Sequence, residues 1–245
     1  MKSKIEWCDY TINPVKGLCP MACSYCYARR LYKRFKWNPE IRFDDRWIPD
    51  LANIKKPSRI FVGSTMELFG NWVSYWWLKT VFDYCVLYPQ HTFIFLTKQP
   101  QNLIKWSPFP DNCWVGVSAT NRRSLLKSLL WLRDIEATIK FLSCEPLLDQ
   151  LSDDYFHNGV PVEGINWVII GAQTPYSKKT APRIEWVKEI VDAADKANIP
   201  VFLKNNLNPL FLNINNKVPN ILESWWGKGN CFGVNLRQEL PQEAK

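Results

Sequence analysis

Short, continuous apolar runs recur along the chain, separated by longer stretches in which apolar residues fall three and four apart. The runs are RIFVG at 59–63, TFIFL at 92–96, CWVGV at 113–117, IKFLS at 139–143, NWVII at 166–170 and PVFLK at 200–204. A less regular segment from Tyr10 to Val15 supplies a first strand. Runs that are apolar at every position suit strands covered on both faces. Between them, Ala28, Leu31, Tyr32 and Phe35 recur at helical spacing, as do Trp72, Trp76, Val81 and Tyr84. Leu125, Leu126, Leu129 and Leu130 follow a turn at Asn121. Ile184, Val187, Ile190, Val191 and Ala194 form the clearest helical stripe, just after Pro182. Strand, loop and helix in alternation predict an α/β fold with a parallel sheet. The expectation is a partial (β/α) TIM-type barrel of about six to seven parallel strands, with a doubly wound sheet as the alternative. Residues 1–206 would form this barrel and 207–245 a C-terminal cap or extension.

Topology then directs attention to the strand ends. In a parallel barrel, residues just past each strand converge on one mouth. Here those positions carry Ser64-Thr65-Met66-Glu67, Thr97-Lys98, Ser118-Ala119-Thr120-Asn121, Cys144-Glu145-Pro146, Gly171-Ala172-Gln173 and Lys204-Asn205-Asn206. Polar groups at one strand end after another predict a polar pocket above an apolar barrel. Glu145 is a charge inside an apolar stretch, either a partner for a ligand or half of a salt bridge.

Composition narrows the class. At 245 residues and 47% hydrophobic, the chain has material for a sizeable core. No run of eighteen apolar residues predicts a membrane span, and the start MKSKIEWCDY lacks an apolar signal core, so the cytoplasm is expected. A net charge of +8 is compatible with a polyanionic partner. One basic set, Arg29, Arg30, Lys33, Arg34 and Lys36, follows the cysteines, and a second is Arg122, Arg123, Lys127 and Arg133. Solvation is the ordinary use of such charges on an amphipathic helix, and nucleic-acid binding the rarer one. Thirteen tryptophans include the doublets Trp76-Trp77 and Trp225-Trp226, and Trp76 and Trp77 are expected in the core.

The sharpest chemical signal is GLCPMACSYCYARR, in which Cys19, Cys23 and Cys26 are spaced C-x3-C-x2-C. Three close thiolates can hold an iron–sulfur cube and leave one iron open. The alternatives are a zinc site completed after folding by Cys8 or Cys144, and a disulfide with a spare thiol. The two histidines, His91 and His157, are distant in sequence.

These cysteines, with IEWCDYTINPVKG, RIFVGSTMELF, QHTFIFLTKQP, CWVGVSATN, IKFLSCEPLL and INWVIIGAQT, resemble the radical S-adenosylmethionine superfamily over residues 4–206, and within it a phage-associated radical SAM-like family. The resemblance implies a radical SAM-type partial barrel and a 4Fe–4S cluster on Cys19, Cys23 and Cys26. It implies S-adenosylmethionine held by Gly63, Ser64, Thr65, Ser118, Glu145 and Gly171, although Gly63-Ser64-Thr65 stands where the superfamily carries Gly-Gly-Glu. The implied activity is reductive cleavage of that cofactor to a 5′-deoxyadenosyl radical. It would need an external electron donor and would act on a nucleic acid or nucleotide. The alternative is a non-catalytic iron–sulfur or zinc protein in a nucleic-acid- or partner-binding role.

Overall fold

The computed structural model describes residues 2–152, 160–212 and 236–242. His157, Trp225, Trp226, Cys231 and most of the expected cap lie outside the described residues. The strands are β1 (Tyr10–Ile12), β2 (Val15–Lys16), β3 (Arg42–Phe43), β4 (Arg59–Val62), β5 (Thr92–Thr97), β6 (Cys113–Ser118), β7 (Ile139–Cys144), β8 (Trp167–Ile170) and β9 (Val201–Leu203). The helices are α1 (Tyr27–Phe35), α2 (Trp47–Ala52), α3 (Tyr75–Leu87), α4 (Arg122–Arg133), α5 (Ile184–Lys196) and α6 (Asn208–Leu212). All seven expected strands form, with ends that differ by one to three residues.

The main sheet has seven strands in the order β1-β4-β5-β6-β7-β8-β9, and β2 pairs with β3 in a separate antiparallel ribbon. The pairings β1–β4, β4–β5, β5–β6, β7–β8 and β8–β9 are parallel. A doubly wound sheet reverses its order at a switch point, and this order never reverses. Sequential parallel strands are the topology of a partial (β/α) barrel. Most crossovers carry a helix, whereas β5 reaches β6 through a single 3-10 segment, Pro100–Trp106.

The chain divides into two compact units, Met1–Val117 with Trp131–Lys140, and Ser118–Leu130 with Phe141–Lys245. In the first, Phe93, Ile94 and Phe95 of β5 are fully enclosed. Burying each contributes about 1.5–3 kcal/mol. Phe82 of α3 packs on Phe95 with ring centroids 5.0 Å apart. Trp76 departs from the expected core position and stands 70% exposed, whereas Trp77 is half-buried against Phe43. The physical reason is the helix face. Leu78, Val81, Phe82 and Cys85 line the buried side of α3, and at 3.6 residues per turn Trp76 falls on the opposite side.

In the second unit, α5 buries Val187, Ile190, Val191 and Ala194, the stripe legible in the sequence. Glu185 in its first turn and Lys196 in its last suit the helix dipole. Trp167 of β8 lies between Phe141 of β7 and Phe202 of β9. Residues 236–240 return along β9: the amide of Leu203 donates to the Arg237 carbonyl at 2.8 Å, and that of Glu239 to the Val201 carbonyl at 3.0 Å. An edge strand left open would recruit other chains, and this segment occupies it.

His91, at the entry to β5, is 1% exposed between Tyr88 and Phe93. Burial pushes its pKa below the usual 6.5, against a smaller opposing pull from the Ile54 carbonyl. The unfolded chain therefore takes up this proton first as pH falls. The contribution of neutral His91 is complete above about pH 6.5 and declines as pH drops toward the folded-state value. Urea midpoints taken from pH 7.5 to 5 should fall across that window. His91→Phe should flatten the fall, and parallel wild-type and variant profiles would refute the assignment.

Candidate functional site

In the first unit, the loop carrying the three cysteines is built by local hydrogen bonds. The Gly17 amide donates to the Tyr32 hydroxyl at 2.8 Å, the Leu18 amide to the Pro39 carbonyl at 2.8 Å, and the Arg29 guanidinium to the Cys19 carbonyl at 2.7 Å. Cys26 is the N-cap of α1, and its sulfur accepts from the Arg29 amide at 3.4 Å. Cys19 is half-buried. Burial pushes its thiol up, while hydrogen bonds from the backbone of Glu67 and Met21 oppose the shift. One sulfur thus caps a helix and another sits against the backbone beyond β4.

Beyond β4 and β5 the first unit holds a closed polar network. Gly63 has φ +80°, a region costly for side-chain-bearing residues, and a Cβ there would lie 2.6 Å from the Leu68 side chain. This turn brings the Ser64 hydroxyl, the Thr65 amide and the Thr65 hydroxyl onto one acceptor, Asn13 Oδ1, each at 3.1 Å. The Tyr27 hydroxyl donates to the Ser64 carbonyl at 2.8 Å, which ties the start of α1 to the same turn. Glu67 is 7% exposed. Its carboxylate accepts from the Thr97 hydroxyl at 2.7 Å, the Lys98 amide at 2.7 Å and the Phe69 amide at 3.1 Å. Asn13 was not foreseen as a site residue. Its signal was the Asn-Pro turn pair that follows β1.

The second unit contains the other group of expected residues. Ser118, the last residue of β6, and Thr120, just past it, are buried. The Leu148 amide donates to the Thr120 carbonyl, and the Ala119 amide to the Ser143 carbonyl, both at 2.9 Å. Glu145, just past β7, forms an ion pair with Lys204, just past β9. Their side chains are 22% and 12% exposed. Gly171 lies past the intervening strand β8. A Cβ added to it would stand 3.1 Å from Lys204, 3.2 Å from Glu145 and 3.3 Å from Asn206, so glycine is what lets the three approach. Asn206 clasps Ala172 in both directions, donating to its carbonyl at 2.7 Å and accepting from its amide at 3.0 Å. The Ser143 hydroxyl, two residues before Glu145, is fully buried and has no hydrogen-bond partner among the described residues.

The remaining described thiols, Cys8, Cys85, Cys113 and Cys144, are buried. Cys144 is completely enclosed and its thiol is pushed up to about 12 by burial, the behaviour of a small core residue. Burial similarly raises Cys8 to about 11. Every described cysteine is a free thiol, which removes the disulfide alternative for them.

The expected 4Fe–4S cluster and S-adenosylmethionine require correction. Among the described residues, no group of three or more His, Cys, Asp or Glu side chains is arranged to hold a metal ion, Cys19, Cys23 and Cys26 included. The sequence spacing brings the three residues into one loop, where the Cys26 sulfur accepts from the Arg29 amide and the Cys19 sulfur from the backbone of Glu67 and Met21, and the three sulfurs do not come together as a metal-holding group. The cofactor roles assigned to Gly63, Ser64, Thr65, Ser118, Glu145 and Gly171 lose their basis with the cofactor, and so does the need for an external electron donor.

Fold and strand ends together define a parallel α/β protein with polar groups at the C-terminal ends of its strands. The chain belongs to the family described as protein of unknown function DUF5131, whose model matches residues 2–208. No radical SAM family is detected, so the resemblance drawn from the cysteine motif and strand segments is overturned in favour of this family. No curated protein and no solved structure matches the chain.

Proposed function

We propose that this protein is an enzyme acting on a nucleotide, with its substrate seated at the ends of β7, β8 and β9. The observation that carries this reading is the Glu145–Lys204 pair closed over Gly171. A hydrophobic pair would hold two strand ends together at less desolvation cost, so a largely buried ion pair calls for another use. Ligands of parallel α/β folds bind outside the carboxyl ends of the strands. An ammonium at that position can leave the carboxylate for a substrate phosphate. The released Glu145 carboxylate can then accept a hydrogen bond from a sugar hydroxyl or a base amino group, or take up a proton. The unpartnered Ser143 hydroxyl offers a further polar group in the same unit. The cytoplasm suits a chain whose described cysteines are all free. Among the described residues no helix is long and apolar enough to cross a membrane.

The test is thermal denaturation against ribo- and deoxyribonucleotides. A nucleotide present at a hundred times its Kd stabilises by about 2.7 kcal/mol. For a chain of this length that raises Tm by roughly 5–10 °C. Lys204→Ala should abolish the rise, and Glu145→Gln should weaken it. The absence of any nucleotide-dependent shift in the wild type would overturn the reading.

A further inference from the structure

We infer that the C-terminal half of α1 and the turn that follows it form a binding platform for single-stranded nucleic acid. This surface belongs to the first unit and shares no residue with the strand-end site, so it stands if the nucleotide reading fails.

The charge pattern is one-sided. From Tyr10 to Pro39 the chain contains six basic residues and no aspartate or glutamate; Lys16 is ion-paired with Asp44, and the other five, Arg29, Arg30, Lys33, Arg34 and Lys36, lie on α1 and its C-cap. A helix face that is merely solvated mixes both signs and gains from i,i+4 pairs. On α1 no acid is available for such a pair, and Arg30, Lys33, Arg34 and Lys36 are all exposed. Similar cations on a surface would by themselves indicate any polyanion.

The aromatic residues narrow the choice. Phe35 closes the apolar stripe predicted for this helix, yet it is 52% exposed, and Trp37 is 45% exposed. Their rings lie parallel, 5.5 Å apart with an interplanar angle of 21°. The Arg34 guanidinium lies 5.3 Å from the Phe35 ring centre. Tyr32, buried beneath, meets Trp37 edge-on at 5.3 Å. The backbone holds this arrangement in place. Lys36 adopts a left-handed conformation with φ 50°, and the Trp37 amide donates back to the Tyr32 carbonyl at 3.2 Å. The chain therefore folds back and lays Trp37 beside Phe35.

Exposed flat rings flanked by cations are the two parts of a single-strand site: bases stack on the rings, and phosphates meet the ammonium and guanidinium groups. An acidic peptide would use the cations and leave the rings idle. A duplex would hide the base faces that the rings can take.

The test is fluorescence anisotropy with labelled 15-nucleotide DNA and RNA strands, the matching DNA duplex, and heparin as competitor. The single strands should bind more tightly than the duplex. The DNA and RNA arms decide which sugar is preferred, and either preference supports the platform. Trp37→Ala and Phe35→Ala should each weaken binding roughly tenfold. Trp37→Phe should restore most of the affinity, and circular dichroism should confirm that each variant is folded. Lys33→Ala with Arg34→Ala should lower the slope of log K against log salt by about 1.4. Equal affinity for duplex, or ring variants that bind like wild type, would reduce the surface to non-specific charge and overturn the proposal. So would no binding to either strand at 50 mM salt.

Discussion

Glu67→Ala should lower the unfolding free energy by about 3–5 kcal/mol, because one buried carboxylate serves three donors. Its removal leaves the Thr97 hydroxyl and two backbone amides without an acceptor in a site closed to water. Each such loss costs about 1–3 kcal/mol, discounted here for partial relaxation. Glu67→Gln should fall between wild type and alanine. Its oxygen can still serve Thr97 and Phe69, but its amino group then faces the Lys98 amide, donor against donor. Urea denaturation measures the loss. A second readout follows from the Cys19 sulfur, which rests against the backbone of Glu67. Cys19 should react faster with a thiol reagent in the alanine variant, judged by peptide mapping. A loss below 1 kcal/mol together with unchanged Cys19 reactivity would show that the network is dispensable.

Trp167→Ala should cost a comparable amount in the second unit, about 3–5 kcal/mol. The indole is fully buried and touches rings on both neighbouring strands, with centroids at 5.3 Å to Phe141 and 6.1 Å to Phe202. Its N–H also donates to the Glu239 carbonyl at 2.9 Å. Truncation opens a cavity in the sheet core and releases the returning segment. Trp167→Phe keeps most of the volume and loses the hydrogen bond with only the pyrrole edge of the ring, so about 1–3 kcal/mol is expected. Thermal melts of the two variants separate packing from tethering. Equal losses would assign the whole effect to the tether and refute the packing account.

Six of the strands were legible because each holds a short, mainly apolar run bounded by polar or turn residues, too short for a helix. Helix α5 was legible for a similar reason, since its stripe keeps helical spacing from Ile184 to Ala194 without interruption. Trp76 was misjudged because apolar character does not say which side of a helix start faces the core. The face set by Leu78, Val81, Phe82 and Cys85 decides that, and Trp76 lies opposite it. Leu126 and Leu130 of α4 likewise stand 43% and 52% exposed beside fully buried Leu125. Glu145 and Lys204 were visible as residues past strand ends, but their pairing required the register of β7, β8 and β9 to bring them over Gly171. The cysteine motif misled for a related reason. Spacing fixes how near three sulfurs lie along the chain and leaves to the folded loop whether they meet as a metal-holding group, which here they do not.

The segment that returns along β9 also sets an order of events during synthesis. Arg237 and Glu239 emerge about 35 residues after Leu203, so β9 leaves the ribosome with its outer hydrogen bonds unmet. At ordinary translation rates of about 5–20 residues per second, that interval lasts roughly 2–7 s. The nascent chain passes through a period in which a nearly complete parallel sheet displays a raw edge to the crowded surroundings. A chaperone that shields strand edges would have its useful moment there, and a rare-codon pause placed between those two segments would lengthen the exposure.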